Sequence, residues 1–547
     1  MVRARALAAL LLGLLAVGGA TALPALAGGP RITAASPRGE IAPLPFAAGS
    51  PPAAPALPSR AALRGARAAA RRGPTVTAVL AALLHSGAIT EAVYRQDYAA
   101  YLAAKRSYGR ISGTRRAELG AVIANVQAIA AADLLSASRL AAVFLTLERN
   151  RQWWTTEPLL SSGERITFPS SKLIWEYYPG QGIELQWLAT FGKGNGYFLS
   201  GHENSNLRQL VSEVLPLASA RAGGIAWEYL FRFDGGSPPW TSGLSQGTGL
   251  EVLARAYQRF KEPAVLTAAQ QALGVFETAP PQGVRVKTPA GATYAEYTYA
   301  PSDRILNGFI QSLVGLYEYT SITKDPLGLQ LFEAGDGEAR AEVPHYDTGS
   351  WSLYDQFGES NLNYHELLTE FLQHLCERTR KGEPTTAAPA PPPAPEPAPG
   401  APPASGTPPK AGTGGTTAGA ASLRASAAAA AAPAPTPIAA DQIYCTTAQR
   451  FGADLKTPPA IALLSHTLRG ATRAGVQISL SKISTVRLTI RQGSRVVGSN
   501  SATLEHGRPR LLWVTPSTGG TFSVTLTASD LVGNFATATG TIAVSHH

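Results

Sequence analysis

The chain has 547 residues, of which 45% are hydrophobic, and a formal net charge of +10. This length predicts two or three domains, each with its own core. The two cysteines lack the spacing of a zinc site, and no segment has the pattern of a nucleic-acid-binding module. The positive charge suits a polyanionic partner, although a solvated basic surface has the same composition.

Residues 1–27 are predicted to be a secretory signal peptide. Arg3 and Arg5 precede an apolar stretch, which ends at the small residues Ala25–Ala27. An uncleaved anchor is the alternative. No later run approaches the roughly 18 apolar residues that a membrane-spanning helix needs. We therefore expect a protein that is secreted or attached to the cell surface, with no membrane span once the signal peptide is removed.

The next two segments differ in composition. Residues 28–73 are rich in Ala, Pro and Arg and are predicted to be a disordered spacer. Residues 74–382 are predicted to form a helical domain, since apolar residues recur at helical spacing in four stretches between 75 and 154. Within this domain, Trp175–Gly182 is predicted to be a turn that opens a helix ending near Thr190.

The C-terminal part separates into a linker and a β domain. Residues 383–441 are rich in Pro and Ala and are predicted to be an extended linker. Residues 458–547 alternate apolar and polar side chains in several short stretches, which predicts an immunoglobulin-like β-sandwich. This part carries eight Lys or Arg against two acidic residues. It suits an anchor for an acidic glycan, and a solubilising spacer is the alternative.

Cys376 and Cys445 are predicted to form a disulfide. They are the only cysteines in the chain, and secretion favours disulfide formation. The bond would tie residues 442–457 back to the end of the helical domain. Two buried thiols are the alternative.

Tyrosines are concentrated in two clusters within the helical domain. Ala292–Tyr319 contains five tyrosines, an Asp and two Glu, and its second half, Ile305–Tyr319, is predicted to be an amphipathic helix. His345–Leu368 repeats this design, with tyrosines ahead of or inside another predicted helix. The two clusters would present acids and phenols at the mouths of helices.

Several motifs follow one another in a fixed order through these clusters. They are Trp240–Gly247, Leu253–Tyr257, Glu296–Tyr297, Pro301–Ser302, Leu306–Phe309, Tyr346–Ser350, Tyr354–Asp355 and Tyr364–His365. Their order resembles the C-terminal domain of the D-glucuronyl C5-epimerases, which invert glucuronic to iduronic acid within a heparan-type polysaccharide. The resemblance runs from about Trp175 to Cys376.

The resemblance implies a cofactor-independent isomerase that acts on an acidic, uronate-containing polysaccharide. It also supports a mainly α fold, with an (α/α) toroid-like catalytic domain and short β decorations in addition to the β-sandwich. Loops with aromatic and acidic residues precede helices near Trp175, Trp240, Tyr294 and His345. Such loops would line a substrate cleft at one end of the ring.

Inversion at C5 needs a base on one face of the sugar, an acid on the other, and groups that stabilise the carboxylate as charge develops. By the resemblance, the acid/base pair lies among Tyr297, Tyr354 and Tyr364, and Glu296 tunes or shares the proton transfer. For any one of these tyrosines, a packing role with one polar end is the alternative.

Other residues are expected to bind the sugar. The resemblance implies that Asn307 hydrogen-bonds it, and the looser candidates are Tyr178, Trp240, Gln246, Arg304 and His365. Where the animal enzymes have an Arg soon after the Tyr-Asp pair, this chain has Gln356 and Phe357. The missing Arg would have clamped a carboxylate or sulfate, so Arg304, Arg232 and Lys193 are candidates to replace it. The histidines lack metal-site spacing, and no metal site is predicted.

Two other functions fit the same residues. A polysaccharide lyase or hydrolase could use this scaffold, since a lyase shares the first proton abstraction. A non-catalytic glycan-binding protein is suggested by the missing Arg and the appended basic domain.

Overall fold

The computed structural model describes residues 35–36, 39–41, 73–382 and 440–546. The predicted signal peptide and most of the predicted spacer and linker lie outside the described residues. Two short strands, β1 (Ala35–Ser36) and β2 (Gly39–Ile41), fall within the predicted spacer. β2 pairs with a strand of the helical domain through Glu40 and Ile41. The prediction of a disordered spacer therefore does not hold for these two strands.

Helices dominate the described part of the chain between residues 73 and 382, as predicted. With one further helix near residue 450, they are α1 (Val76–His85), α2 (Glu91–Arg110), α3 (Gly113–Ala131), α4 (Leu140–Thr156), α5 (Trp187–Ser200), α6 (Asn204–Val214), α7 (Gly243–Phe260), α8 (Pro263–Ala272), α9 (Gly274–Glu277), α10 (Leu306–Thr323), α11 (Pro326–Glu342), α12 (Leu362–Thr379) and α13 (Ala440–Asp454). Short 3-10 turns occupy Ala137–Arg139, Leu215–Leu217 and Val343–Tyr346.

Helices α1 to α4 confirm the four helical stretches predicted from apolar spacing. The first two begin at threonines whose hydroxyls accept hydrogen bonds from exposed helix-end N–H groups. Thr75 caps α1 through Ala78 N at 3.2 Å, and Thr90 caps α2 through Val93 N at 3.3 Å. Such caps satisfy donors that the helix leaves unpaired.

Helices α7 and α10 cross at very short range because glycines face each other. A Cβ on Gly315 would lie 2.1 Å from the Gly247 carbonyl oxygen, and one on Gly247 would lie 2.7 Å from Ser312 Cα. Both helices are buried over most of their length. The absence of side chains therefore lets the two backbones touch and brings the helix N-termini together.

Short antiparallel strands decorate the helical domain. β3 (Arg165–Thr167), β4 (Trp175–Tyr178) and β5 (Gly182–Leu185) continue the sheet that starts with β1 and β2. Two separate hairpins follow, formed by β6 (Ser219–Arg221) with β7 (Gly224–Ala226) and by β8 (Arg285–Thr288) with β9 (Gly291–Tyr294).

The turn predicted at Trp175–Gly182 is a β-hairpin, so that prediction was wrong. Its two strands are buried on both faces, and such strands lack the alternation of polar and apolar residues that reveals a half-exposed strand. Gly180 and Gly182 adopt φ of +78° and +87°, which lets the chain reverse between the strands. The helix begins only at Trp187.

The C-terminal strands form a unit that we call the β domain, residues 461–545. Its strands are β10 (Ile461–Leu463), β11 (Thr467–Arg469), β12 (Arg473–Leu480), β13 (Ser484–Gln492), β14 (Arg495–Leu504), β15 (Arg510–Val514), β16 (Gly520–Asp530) and β17 (Phe535–Ser545). They form a sheet in the order β10-β12-β15 and a second in the order β11-β17-β16-β13-β14. Buried side chains from both sheets make one core.

Helix α13 connects the helical domain to the β domain. It packs against α12, and a disulfide joins Cys376 of α12 to Cys445 of α13. The Tyr444 hydroxyl also donates to Asp336 Oδ1 of α11 at 2.7 Å. Among the described residues, no helix combines the length and hydrophobicity that crossing a membrane requires.

The α7–α10 crossing gives a stability prediction. Gly315→Ala should lower the free energy of unfolding by about 1–3 kcal/mol, because the new methyl group meets backbone atoms that cannot move away cheaply. Gly109→Ala is the matched control, since a Cβ at Gly109 meets nothing within 4 Å. That change should leave stability unchanged or raise it by up to about 1 kcal/mol. Urea unfolding monitored by circular dichroism measures both, and equal midpoints would contradict the tight crossing.

Candidate active site

Two loops meet at the N-terminus of α10. The first, residues 295–305, follows β9. The second, residues 347–361, precedes α12, and we call it the Tyr354 loop. The N–H of Leu306 donates to the Tyr354 carbonyl oxygen at 3.4 Å. The Gln356 side chain accepts from Arg304 N at 3.0 Å and donates to the Ser302 carbonyl at 2.8 Å. These bonds hold the two loops side by side.

The loops bring the predicted catalytic tyrosines into one cluster, which we call the tyrosine cluster: Tyr297, Tyr354 and Tyr364. The rings of Tyr354 and Tyr364 are 4.5 Å apart between centroids. Tyr297 stacks on Tyr299 at 5.2 Å, and it lies close enough to Tyr354 and Tyr364 for their ionisation to raise its pKa. The two sequence clusters, which are separated by α11 along the chain, therefore form one site.

Glu296 lies at the centre of this cluster, between two helix N-termini. Ser242, the residue that caps α7, donates its hydroxyl to Glu296 Oε1 at 3.2 Å. The other oxygen, Oε2, rests against the first turn of α10, where a Cβ on Gly308 would lie 2.0 Å from it. Helix N-termini stabilise negative charge, so both helices favour an ionised carboxylate at this position.

Burial disfavours the ionised form of Glu296, and its effect is larger than that of the helix ends. The Glu296 side chain is almost fully buried, and burial raises its pKa to about 8, while the Ser242 hydrogen bond lowers it. Oε2 has no hydrogen-bond partner among the described residues. Glu296 is thus a carboxyl group that exchanges its proton near neutral pH and has one oxygen free to do so.

The tyrosines keep their protons at neutral pH. Burial raises the pKa of Tyr297 and Tyr354 well above the usual value, and the nearby Glu296 charge raises both further. Burial and Glu296 also raise the pKa of Tyr364. The Tyr354 hydroxyl is buried and approaches the Tyr364 hydroxyl without forming a full hydrogen bond. These phenols are therefore suited to donate protons.

Asn307, which the resemblance assigns to sugar binding, is a buried residue of α10. It is 2% exposed, and neither end of its amide has a hydrogen-bond partner among the described residues. It lies in the first turn of α10, next to Gly308 in sequence. A buried amide without partners costs free energy unless a ligand satisfies it.

Trp240 and Tyr178 form an aromatic wall behind the cluster. Trp240 packs edge-on against Tyr297 at 5.7 Å, and its Nε1 donates to the Phe231 carbonyl at 2.8 Å. Tyr178 lies 4.6 Å from Phe231, and its hydroxyl accepts from Gln186 Nε2 at 3.1 Å. Both side chains are buried with their polar ends engaged, so the wall supports the tyrosines.

Gln246 and Arg304 were predicted to bind substrate, and the structure corrects both. Gln246 Oε1 accepts from Trp227 N at 3.2 Å, and its Nε2 donates to the Trp227 carbonyl at 2.9 Å. The Arg304 guanidinium forms ion pairs with Glu338 at 2.6 Å and Glu342 at 2.5 Å. The Gln246 amide and the Arg304 charge are therefore both engaged by other groups of the protein.

His365 was also predicted to bind substrate and is instead a structural residue. It is fully buried. Its Nδ1 accepts from Ser352 N at 3.2 Å, so its Nε2 donates to the Phe451 carbonyl at 3.0 Å. Burial lowers its pKa to about 4. His365 is thus a neutral imidazole with both nitrogens in use.

A buried ion pair near the cluster was missed from the sequence. Arg165 of β3 pairs with Glu176 of β4 at 2.7 Å. The Arg165 charge lowers the pKa of both Tyr178 and Tyr364, in each case as a minor effect beside burial. Nothing in its local sequence distinguishes Arg165 from a surface arginine.

Comparison with known families matches this part of the chain. Residues 223–387 fit the family described as D-glucuronyl C5-epimerase C-terminus. These residues contain Glu296, Asn307 and the whole tyrosine cluster.

This segment belongs to the D-glucuronyl C5-epimerase C-terminus family. The resemblance inferred from the motifs is confirmed for it.

Two relatives share this region. A D-glucuronyl C5-epimerase of Caenorhabditis elegans is 34% identical over 131 residues, which are 22% of this chain and 21% of that protein. An uncharacterized protein of Methanocaldococcus jannaschii is 28% identical over 151 residues, which are 26% of this chain and 49% of that protein. The chain thus spans less than half the length of each of these relatives.

The buried Glu296 predicts how stability depends on pH. Its pKa is about 8 in the folded protein and near the ordinary 4.5 when unfolded, so between these values the folded state holds a proton that the unfolded state loses. The free energy of unfolding therefore falls as the pH rises from about 4.5 to about 8. Glu296→Gln should flatten the decline, as measured by urea midpoints at several pH values.

The exposed Glu333→Gln makes the same chemical change on α11 and serves as the control, since it should follow the wild-type curve. Parallel curves for wild type and Glu296→Gln would show that Glu296 ionises normally.

Proposed function

We propose that the chain is a uronate C5-epimerase, which inverts D-glucuronate to L-iduronate within a polysaccharide without a cofactor. One observation carries the proposal. Three buried polar groups lack a full hydrogen bond among the described residues, and each belongs to a residue that lies in the first turn of α10 or contacts it: Glu296 Oε2, the Asn307 amide and the Tyr354 hydroxyl. They lie in the segment that belongs to the epimerase family. A ligand with a carboxylate and hydroxyl groups would satisfy all three.

The proton-transfer roles follow from the pKa values. A base works best when its pKa is close to the operating pH, and burial raises the pKa of Glu296 to about 8. Glu296 takes the C5 proton, and the electrons of the broken C–H bond move into the substrate carboxylate. A protonated phenol, which we assign to Tyr354, donates its proton to C5 from the opposite face. Glu296 then returns its proton to the phenolate, so that no net proton is gained or lost.

The intermediate carries an extra negative charge, and the N-terminus of α10 stabilises that charge. Backbone N–H groups and the helix dipole stabilise an anion without having to reorient. The Asn307 amide adds a hydrogen-bond donor at the same position. This replaces part of the charge stabilisation that the missing Arg gives in the animal enzymes.

The remaining features suit a secreted enzyme on an acidic polymer. The loops with acids and phenols lie at helix N-termini, as they would in an (α/α) toroid, and we assign that arrangement to the helical domain. The two sheets of the β domain with their shared core support an immunoglobulin-like sandwich. The disulfide between Cys376 and Cys445 and the predicted signal peptide support export.

The direct test is proton exchange at C5. The purified full chain is incubated in deuterated water with unsulfated glucuronate polymers, including heparosan-like and cell-wall uronic acid chains, and followed by NMR. Deuterium at C5, new iduronate signals and unchanged chain length are expected. An unsaturated, ultraviolet-absorbing chain end would instead identify a lyase. Tight binding with neither label nor cleavage would replace the proposal with a glycan-binding function.

Tyr354→Phe separates catalysis from stability. Loss of the phenolic proton should lower the exchange rate by a factor of about 10² to 10⁴. Stability should change by less than about 1 kcal/mol, because the hydroxyl loses only its incomplete contact with the Tyr364 hydroxyl. Calorimetry and NMR exchange rates measure the two effects.

Tyr294→Phe is the contrasting control. Its hydroxyl donates to the Leu331 carbonyl at 2.6 Å, so this change should cost about 1–3 kcal/mol of stability and leave exchange intact. A Tyr354→Phe protein that exchanges at the wild-type rate would remove Tyr354 from the mechanism.

A further inference from the structure

The β domain contacts the Tyr354 loop through a buried carboxylate. Glu359 lies in the loop, and its side chain has no exposed surface. Its Oε1 accepts from Ile483 N at 3.2 Å, and its Oε2 accepts from His506 N at 2.7 Å. The His506 Nδ1 is a further 3.3 Å contact. Each of these donors belongs to the β domain.

The two donors come from different connections of the β domain. Ile483 lies between β12 and β13, and His506 lies between β14 and β15. Both connections are therefore held at fixed positions against one side chain of the helical domain. A buried carboxylate that accepts backbone N–H groups is costly to separate from them.

A second contact joins the β domain to the other end of the loop. The Lys482 ammonium lies 5.2 Å from the Trp351 ring centroid. Lys482 is itself buried and paired with Asp530 at 2.8 Å, so its position is fixed. A buried ammonium over an indole face is a favourable contact.

Trp351 in turn contacts the first turn of α12. Its ring stacks on His365 at 3.7 Å with an interplanar angle of 6°. His365 follows Tyr364 directly in sequence, and its Nε2 donates to the Phe451 carbonyl of α13 at 3.0 Å. The Arg450 side chain of α13 also forms an ion pair with Asp347 at the start of the loop.

These contacts cover the side of the Tyr354 loop that faces α13 and the β domain. On its inner side the loop touches the α10 N-terminus through the Tyr354 carbonyl and Gln356. On its outer side, Glu359, Trp351 and Asp347 of the loop each make a contact beyond residue 440, with Ile483 and His506, with Lys482, and with Arg450 respectively. Tyr354 lies between these outer contacts, three residues from Trp351 and five from Glu359 in sequence.

We propose that Glu359 is a positioning residue, and that the β domain docked on it holds the Tyr354 loop in the conformation that places Tyr354 in the active site. This goes beyond a role as glycan anchor or spacer, since it makes the β domain a part of the catalytic structure. The catalytic consequence rests on the proposed epimerase function. The docking itself does not.

The test compares Glu359→Gln with Glu333→Gln in the full chain. Glutamine keeps the size of Glu359 but can accept with one atom only, and its NH2 group would face a backbone N–H. The Tyr354 loop should loosen, and kcat for C5 exchange should fall on the order of 10-fold, because misplaced catalytic groups lose rate steeply. KM should stay within about twofold. Glu333 is exposed on α11, and its variant should behave as wild type.

Amide hydrogen exchange of peptides covering residues 347–361 gives a readout that is independent of activity. Exchange in this segment should rise in Glu359→Gln, while peptides from α2 and α3 stay protected. If Glu359→Gln does not fold, Glu359→Asp replaces it. Aspartate keeps the charge but is one methylene shorter, and it should give a smaller change in the same direction.

The outcomes separate the two proposals. Unchanged exchange in residues 347–361 together with wild-type kcat would overturn the positioning role of Glu359. Raised exchange in this segment with a wild-type protein that is inactive on every polymer would uphold the docking and refute the epimerase. A parallel rise of KM and fall of kcat, with exchange raised throughout the helical domain, would show that Glu359 serves general stability only.

Discussion

Placing one carboxyl group between two helix N-termini organises the whole site. Glu296 contacts the cap of α7 through Ser242 and the first turn of α10 at Gly308. The helix ends favour its charged form, and the surrounding aromatic side chains favour its neutral form. The balance leaves its pKa near 8. The phenols around it are raised in pKa by the same burial, so one environment makes a proton acceptor and proton donors.

The position of Glu296 depends on backbone packing between two helices, away from the reacting groups. The two helix N-termini converge on Glu296 because α7 and α10 cross at Gly247 and Gly315 without intervening side chains. Larger residues at the crossing would separate the helix ends, and Glu296 would lose one of its two neighbours. The aromatic wall formed by Trp240, Tyr178 and Phe231 closes the other side. A rigid crossing and a dry wall together set the electrostatics of the cluster.

Local patterns in the sequence were sufficient to find much of this. Helix α10 was predicted as Ile305–Tyr319 and spans Leu306–Thr323, and the motifs around it contain Glu296, Asn307 and the cluster tyrosines. What failed depends on distant partners. His365 was predicted to bind substrate because it adjoins Tyr364, and the partner that explains it, Phe451, is 86 residues away. Strand β14 has no strand signal of its own, because its small and polar residues, such as Gly498 and Ser499, give no apolar alternation.

Two further contacts could not be predicted from the sequence for the same reason. They are the ion pair of Arg165 with Glu176 and the contact of Glu359 with the β domain. Each joins segments whose sequences carry no mark of their partner. In particular, the donors to Glu359 lie 124 and 147 residues downstream. Sequence periodicity reveals which face of an element is buried, but it does not reveal what covers that face.

The disulfide gives the chain an unusual response to cutting. Cys376 and Cys445 are 69 residues apart, and the whole Pro- and Ala-rich stretch lies between them. A protease that cleaves once inside this stretch therefore produces two polypeptides that are still one covalent molecule, with α13 and the β domain attached to α12. Only reduction of the bond would release the C-terminal piece, so the intact linker is not what keeps the two parts together.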